Sequence, residues 1–148
     1  MVYPFNRCEV DVAMIGNHDL DFGVLQMEDL ISLTTPCAPS SSLKRNDSYL
    51  KHKTEGLKCQ WIVSNLIEKG EPEFGVGNLP RTCVIERCGF KIGFIGIIEK
   101  DWVHTFKNMD VELEYLNYKR TAAELAKKLK ADGCHFVFAL AHMRLHHD

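Results

Sequence analysis

The sequence lacks several features that would place it in a specialised class of protein. No apolar run approaches the roughly 20 residues that a membrane-spanning helix needs, and residues 1–7 lack the long apolar core of a signal peptide. The net charge is −2, so no basic excess points to a nucleic-acid partner. No internal repeat and no basic stripe with interleaved aromatic residues is visible. These absences favour a cytoplasmic globular protein that binds neither membranes nor nucleic acid.

Metal-binding and disulfide patterns of cysteine are also missing. The chain has six cysteines but no Cys-x-x-Cys pair. The closest two, Cys83 and Cys88, match no common zinc-site spacing. The cysteines within or beside predicted strands, where thiols commonly pack as small hydrophobic side chains, are Cys8, Cys59, Cys83 and Cys134. The sequence therefore disfavours a disulfide framework and a cysteine-rich zinc site.

What is present is the composition of one soluble globular domain, with 148 residues of which 45% are hydrophobic and 26% charged. Helical periodicity predicts helices at residues 24–31 and 119–132, the second ending at Gly133. The apolar runs that predict strands lie at residues 10–15, 60–66, 82–87, 91–97 and 135–141. Strands that are mostly apolar throughout and are separated by helices indicate an α/β fold, with a buried mixed or parallel sheet and helices on its faces.

Residues 37–58 interrupt this pattern with a polar stretch that has no apolar period. The composition predicts a surface loop or a flexible insertion within the domain. A basic contact patch is the alternative interpretation.

The octet at residues 16–23 is the most informative stretch for function, because it follows the first predicted strand directly. Asn17 offers an amide oxygen to a cation, and His18 is the side-chain type that changes charge near neutral pH. Asp21, three residues on, is well placed to hold the His18 ring in one tautomer. The alternative is a strand-to-helix turn in which Asn17 and Asp19 only satisfy the local backbone.

A second polar position follows the last predicted strand, where His142 occupies the place that Asn17 occupies after the first strand. Open α/β sheets place their chemistry at the carboxyl ends of strands, so the two side chains could face one site. A single histidine after a strand is more often structural. Together with the octet, however, it favours a shared functional site.

The octet resembles the Asn-His-(Asp/Glu) signature of calcineurin-like metallophosphoesterases, and its Asp-Phe-Gly ending resembles the 5'-nucleotidase branch of that superfamily. Residues 141–144 resemble the Thr-His-Met-Arg element of the same branch. Ser64 and Asn65 resemble its short strand-end element, and residues 89–96 and 133–137 resemble its central hairpin and the run into its histidine strand. The resemblance covers nearly the whole chain except residues 37–58 and implies an α+β sandwich with a mixed sheet.

The resemblance also implies a role for each matching residue. Asn17 and His142 would be ligands of one metal ion, and His18, partnered by Asp21, would stabilise the transition state or protonate the leaving oxygen. Asp19 occupies the acidic position after the histidine. The family reaction is hydrolysis of a phosphate monoester, here best matched to a 5'-nucleotide, by a metal-activated hydroxide. Two divalent cations (Zn, Mn, Fe or Mg), about 3.5–4 Å apart, share the developing charge.

The family's Asp-x-His, Gly-Asp and Gly-His-x-His elements have no counterpart in this sequence. Because two ligands cannot hold a two-metal centre, we expect residues 1–148 to be a partial phosphoesterase domain that is inactive alone. A non-catalytic binding or interaction domain that retains the fold is the alternative. Substrate-binding residues cannot be assigned from the sequence.

Overall fold

The computed structural model describes Cys8 and residues 10–34, 59–106 and 109–144. The predicted insertion at residues 37–58 lies outside the described residues. The described strands are β1 Val12–Met14, β2 Gln60–Ile62, β3 Leu66–Glu68, β4 Thr82–Arg87, β5 Phe90–Ile98, β6 Leu113–Tyr115 and β7 Phe136–His142. The α-helices are α1 Val24–Ser32, α2 Lys100–Val103 and α3 Tyr118–Ala131, and short 3-10 helices lie at Asn17–Leu20 and Val76–Asn78.

The strands pair in three small sheets. β1 and β2 are parallel, β3 and β6 are antiparallel, and the third sheet has the order β4-β5-β7. In that third sheet β4 and β5 form the predicted hairpin, while β5 and β7 run parallel. The hairpin turn consists of Cys88 and Gly89, which both have positive φ angles (51° and 80°), as a two-residue hairpin loop requires. The predicted α/β class with mixed strand directions and flanking helices is confirmed.

The long strand predicted at residues 60–66 is wrong, because the chain leaves extended pairing at Ser64 and Asn65. The side chains of these two buried residues pair with the backbone of β5 instead. Gly96 N donates to Ser64 Oγ at 2.9 Å, and Ile98 N donates to Asn65 Oδ1 at 2.9 Å while Asn65 Nδ2 donates to Ile98 O at 2.8 Å. An amide side chain carries both a donor group and an acceptor group, so Asn65 pairs with Ile98 as a strand residue would.

This pairing joins the two halves of the fold. β2, which precedes Ser64, carries β1 as its neighbour, and β5 carries β7. Close contact reinforces the junction at Gly96, where an added β-carbon would lie 3.1 Å from both Ile62 Cγ1 and Ile62 O. The absence of a side chain at Gly96 therefore allows this close approach. The ends of β1 and β7 are held in fixed relative positions as a result.

Two hydrophobic clusters support the sheets. The first lies around β1, α1 and the β2–β3 segment, with Ile15, Leu20, Val24, Met27, Val63, Leu66, Val76, Leu79 and Ile98 at its centre. The second packs α3 against β5 and β7, and the helix contributes four apolar residues to it: Ala122, Leu125, Ala126 and Leu129. Gly93 lets the helix approach, since an added β-carbon would lie 3.0 Å from Leu129 Cδ1. Gly133 has a φ of 88° and ends the helix as predicted.

The described cysteines are free thiols, and Cys59, Cys83 and Cys134 are buried as predicted. Cys8 is exposed, so its predicted packing is wrong; it lies in a turn before β1 rather than against the sheet. No helix among the described residues combines the length and apolar character needed to cross a membrane. The cytoplasmic location stays a prediction.

Candidate functional site

Asn17 and His142 meet where β1 and β7 end. Asn17 begins the 3-10 helix after β1, and His142 is the last residue of β7. We expected His142 just beyond its strand, but it pairs with Ile98 and so extends β7 by one residue. His142 Nε2 and Asn17 Oδ1 lie 2.7 Å apart and share a hydrogen bond, although the residues are 125 positions apart in sequence. The structure thus brings both predicted metal ligands together.

His18, on the same 3-10 helix, forms a second pair with Asp21, the residue directly after that helix. His18 Nδ1 lies 2.9 Å from Asp21 Oδ2, because residues three apart lie on one side of such a helix. An ionised carboxylate can only accept, so Nδ1 carries the proton and Nε2 is left for other partners. The side chains are 84% and 48% exposed, so a small molecule can reach them. This pairing is the one predicted from the spacing.

Asp19 and Gly16 shape the turn that presents these groups. Gly16 N donates to Asp19 Oδ2 at 2.7 Å, so Asp19 satisfies the backbone at the start of the 3-10 helix. Gly16 also lies against His142, because a β-carbon added there would be 3.3 Å from His142 Nε2. Asp19 therefore has a structural contact, and the absence of a side chain at Gly16 leaves room for the His142 ring.

Three residues next to His142 were not predicted as part of the site: Glu99, Trp102 and Arg144. The Trp102 ring stacks on the His142 ring with centroids 5.7 Å apart and planes at 30°. Glu99 N donates to His142 O at 3.2 Å, and Arg144 Nε donates to Glu99 Oε1 at 2.9 Å. Hydrogen bonds from Arg144 to Glu99 raise the pKa of the guanidinium. The available signal was an acidic residue, Glu99, directly after the apolar β5.

A remote carboxylate fixes the start of α1, close to the His18–Asp21 pair. Asp110 Oδ1 accepts from Val24 N at 3.0 Å, and Asp110 Oδ2 accepts from Leu25 N at 3.4 Å. The bond from Val24 lowers the pKa of Asp110. Gly23 provides no side chain at the cap position of α1, so Asp110 supplies the cap from 86 residues away in sequence.

The donor set of the site suits a divalent cation in part. An amide oxygen and an imidazole nitrogen are both common ligands. Two donors of one cation, each about 2.1 Å from it, stand roughly 3.0 to 3.4 Å apart. Asn17 Oδ1 and His142 Nε2, at 2.7 Å, need only separate slightly to reach that spacing. No group of three or more His, Cys, Asp or Glu side chains suited to a metal occurs among the described residues.

Comparisons with solved structures identify the fold. The chain is similar to a 5'-nucleotidase precursor from Thermus thermophilus, with a TM-score of 0.68, 19% identity, and coverage of 96% of this chain and 23% of that one. For the NAD nucleotidase NadN of Haemophilus influenzae the TM-score is 0.64 at 17% identity, with 93% and 22% covered. The sulfate thiohydrolase SoxB of Thermus thermophilus gives a TM-score of 0.63 at 16% identity, with 95% and 21% covered.

These likenesses confirm the expected fold, which the chain shares with a 5'-nucleotidase precursor, an NAD nucleotidase and a sulfate thiohydrolase. This chain spans less than a quarter of the length of each of these three proteins. No protein-family model matches the sequence. No curated protein sequence matches it either.

Proposed function

We propose that this chain forms part of the active site of a metal-dependent phosphomonoesterase. The observation that carries the proposal is the adjacency of two pairs where β1 and β7 end: Asn17 with His142, and His18 with Asp21. Hydrolysis of a phosphate monoester needs stabilisation of charge on the phosphoryl oxygens and a group that can protonate the leaving oxygen. The first pair suits the former task, and the second pair suits the latter.

Asn17 Oδ1 and His142 Nε2 would hold a divalent cation. When bound, such a cation lowers the pKa of a coordinated water and offsets negative charge on the phosphoryl group. Two cations are expected in a complete site by resemblance to the family. Because only two donor side chains meet among the described residues, further ligands would have to come from polypeptide beyond them. We therefore propose that the 148-residue chain alone is inactive.

His18 would act on the substrate directly. Asp21 accepts a hydrogen bond from Nδ1–H, which fixes the orientation of the ring and leaves Nε2 to face the substrate. A protonated ring can then donate from Nε2 to the leaving oxygen or to a phosphoryl oxygen. Asp21 does not contact the substrate in this scheme. Its role is to orient the imidazole and to stabilise the imidazolium.

A 5'-nucleotide is the substrate class that we propose. Two of the similar structures are named as a 5'-nucleotidase precursor and an NAD nucleotidase, which favours a nucleotide. A third is named as a sulfate thiohydrolase, so the fold alone does not decide the substrate.

A non-catalytic binding domain is the second candidate. It is favoured by one observation: the described residues contribute only two donors to the candidate metal site. Such a domain would keep the fold and could keep weak affinity for a cation or a phosphate. It would not turn over substrate even when its flanking sequence is present, and this difference separates the two candidates.

The test is hydrolysis of p-nitrophenyl phosphate and AMP with Mn²⁺ or Zn²⁺. The 148-residue chain is compared with a version extended at both ends by the flanking coding sequence. We expect turnover only by the extended protein, and a loss of about 10²- to 10⁴-fold in kcat for His18→Ala. His104→Ala, which removes an exposed histidine in the turn after α2, is the matched control and should leave kcat unchanged.

Two outcomes would contradict the proposal. An extended protein that is silent with both substrates and both metals would favour the binding domain. Turnover by the short chain that is lost in His18→Ala would keep the reaction but refute the claim that further ligands are needed.

A further inference from the structure

We propose that Glu99, Trp102 and Arg144 are positioning residues that hold the His142 imidazole against Asn17 for metal binding. The inference rests on the proposed function, since it assigns these residues a task in the same site. Neither the octet nor the spacing of the predicted ligands points to them.

Glu99 fixes the backbone that follows the His142 side chain. Its N–H donates to His142 O at 3.2 Å. Its carboxylate accepts from Arg144 N at 2.8 Å, and from Nε at 2.9 Å and Nη2 at 2.6 Å. The Glu99 side chain is 5% exposed, so these charge-assisted bonds are sheltered from water. The chain that follows β7 is thereby held to the residue that follows β5.

Trp102 holds the ring itself. Its indole stacks on the imidazole at a centroid distance of 5.7 Å, and Trp102 N donates to Glu99 O at 3.3 Å. The segment from Glu99 to Trp102 therefore provides both the hydrogen bonds to the backbone after β7 and the contact with the His142 ring. With Trp102 against the face of the ring and Asn17 bonded to Nε2, the ring has little freedom to rotate.

The Arg144 guanidinium pairs with carboxylates of this segment rather than with a phosphate. An arginine beside a phosphoesterase site would ordinarily be considered a phosphate ligand, because its guanidinium matches phosphate geometry. Here Nε and Nη2 donate to Glu99, and Nη2 also donates to Asp101. Two carboxylates therefore neutralise its charge. Outer groups that orient a metal-ligating histidine commonly change metal affinity by about 10- to 100-fold when they are removed.

The test uses the 148-residue chain and Mn²⁺, whose paramagnetism broadens the NMR signals of nearby nuclei even when binding is weak. The Trp102 indole N–H signal is assigned by its persistence in Trp61→Phe, because the chain has two tryptophans. Its broadening reports the apparent Mn²⁺ affinity. Nuclear Overhauser effects between the indole and the His142 ring report the stack without metal.

We expect about 10-fold or greater loss of Mn²⁺ affinity in Arg144→Met, together with weaker indole–imidazole effects, and partial recovery in Arg144→Lys. Glu99→Gln should act in the same direction. Because Arg144 is 43% exposed, its variants should fold even where Glu99→Gln does not.

Two control variants separate positioning from general stability. Glu124→Gln breaks an exposed ion pair of the same chemistry, Arg120–Glu124 on α3. Asn117→Ala removes the cap of α3 and destabilises the fold away from the site. Both should leave the Mn²⁺ affinity and the indole–imidazole effects unchanged.

The two proposals fail in different ways. If the parent chain binds Mn²⁺ beside Trp102 and Arg144→Met binds it equally well, the positioning role is overturned. If the parent chain binds no Mn²⁺, the proposal that this chain binds a metal is overturned instead. The nuclear Overhauser effects between the indole and the His142 ring then decide whether the three residues position that ring. Their persistence in Arg144→Met then overturns the positioning role, and their loss supports it.

Discussion

The side chain of Asn65 links the two halves of the fold, and replacing it with alanine tests how much this link contributes. Asn65 is fully buried, and its amide makes both hydrogen bonds to Ile98. Ile98 is the ladder partner of His142 in β7. Asn65→Ala would leave the N–H of Ile98 without its hydrogen-bond partner, and the carbonyl of Ile98 would lose the hydrogen bond from Asn65 Nδ2.

The expected magnitude follows from these bonds. Each buried polar group left without a partner costs about 1 to 3 kcal/mol, so two groups give about 2 to 6 kcal/mol. The carbonyl of Ile98 keeps a long contact of 3.5 Å from the Tyr115 hydroxyl, which offsets part of the loss. We therefore expect the free energy of unfolding to fall by about 3 kcal/mol. That is a large fraction of the roughly 5 to 15 kcal/mol typical of a domain.

The assay is urea unfolding followed by far-ultraviolet circular dichroism. Asn117→Ala is the matched control, because Asn117 Oδ1 accepts a single exposed bond from Arg120 N at 3.1 Å. Losing such a cap costs about 1 kcal/mol. If Asn65→Ala costs no more than Asn117→Ala, the side-chain pairing with β5 is not what joins the two halves of the fold.

Three further perturbations probe other parts of the structure. Gly16→Ala should lower Mn²⁺ affinity with little change in thermal midpoint, because its β-carbon would lie 3.3 Å from His142 Nε2; unchanged affinity would show that the ring can yield. Asp110→Asn should destabilise the chain near neutral pH. Folding lowers the pKa of Asp110, so its contribution to the free energy of unfolding is full above the ordinary pKa of about 4 and is lost as pH falls through the pKa of the folded state. In urea titrations, the difference in stability between Asp110→Asn and the parent chain should therefore shrink in acid. Burial raises the pKa of the Cys59 thiol to about 11, so iodoacetamide at pH about 8 should modify exposed Cys88 first, and equal rates by mass spectrometry would contradict this burial.

Features with a strong local pattern could be predicted from the sequence. The helix α3 and the short link between β4 and β5 could both be predicted, although the link is one residue shorter than expected, because each depends on residues close together in the chain. The pairing of His18 with Asp21 followed from a spacing of three residues. The meeting of Asn17 and His142 needed one general rule, that functional groups gather where strands of a sheet end.

The features that escaped prediction depend on distant partners or on very short elements. α2 has four residues and β6 has three, too few to show a period. Asp110 caps a helix 86 positions earlier in the chain. Asn65 takes the place of a strand residue through its side chain, which no alternation of apolar and polar residues reveals. The contacts of Glu99, Trp102 and Arg144 around His142 combine both difficulties, because the short helix α2 brings Trp102 to a histidine that lies far along the chain.

The fold by itself carries limited information about chemistry. The similar structures include proteins named for nucleotide hydrolysis and one named for a sulfate thiohydrolase. Function must therefore be argued from the side chains at the sheet edge. We propose that Asn17 and His142 bind the metal and that His18 and Asp21 handle the proton, and experiment can separate these two roles.

The most direct test measures metal content and kcat together in the flank-extended protein. We expect His142→Ala to lose bound metal and activity in parallel. We expect His18→Ala to keep its full metal content while kcat falls by about 10²- to 10⁴-fold. Loss of metal in His18→Ala, or retention of both metal and activity in His142→Ala, would contradict the assignment of the two pairs.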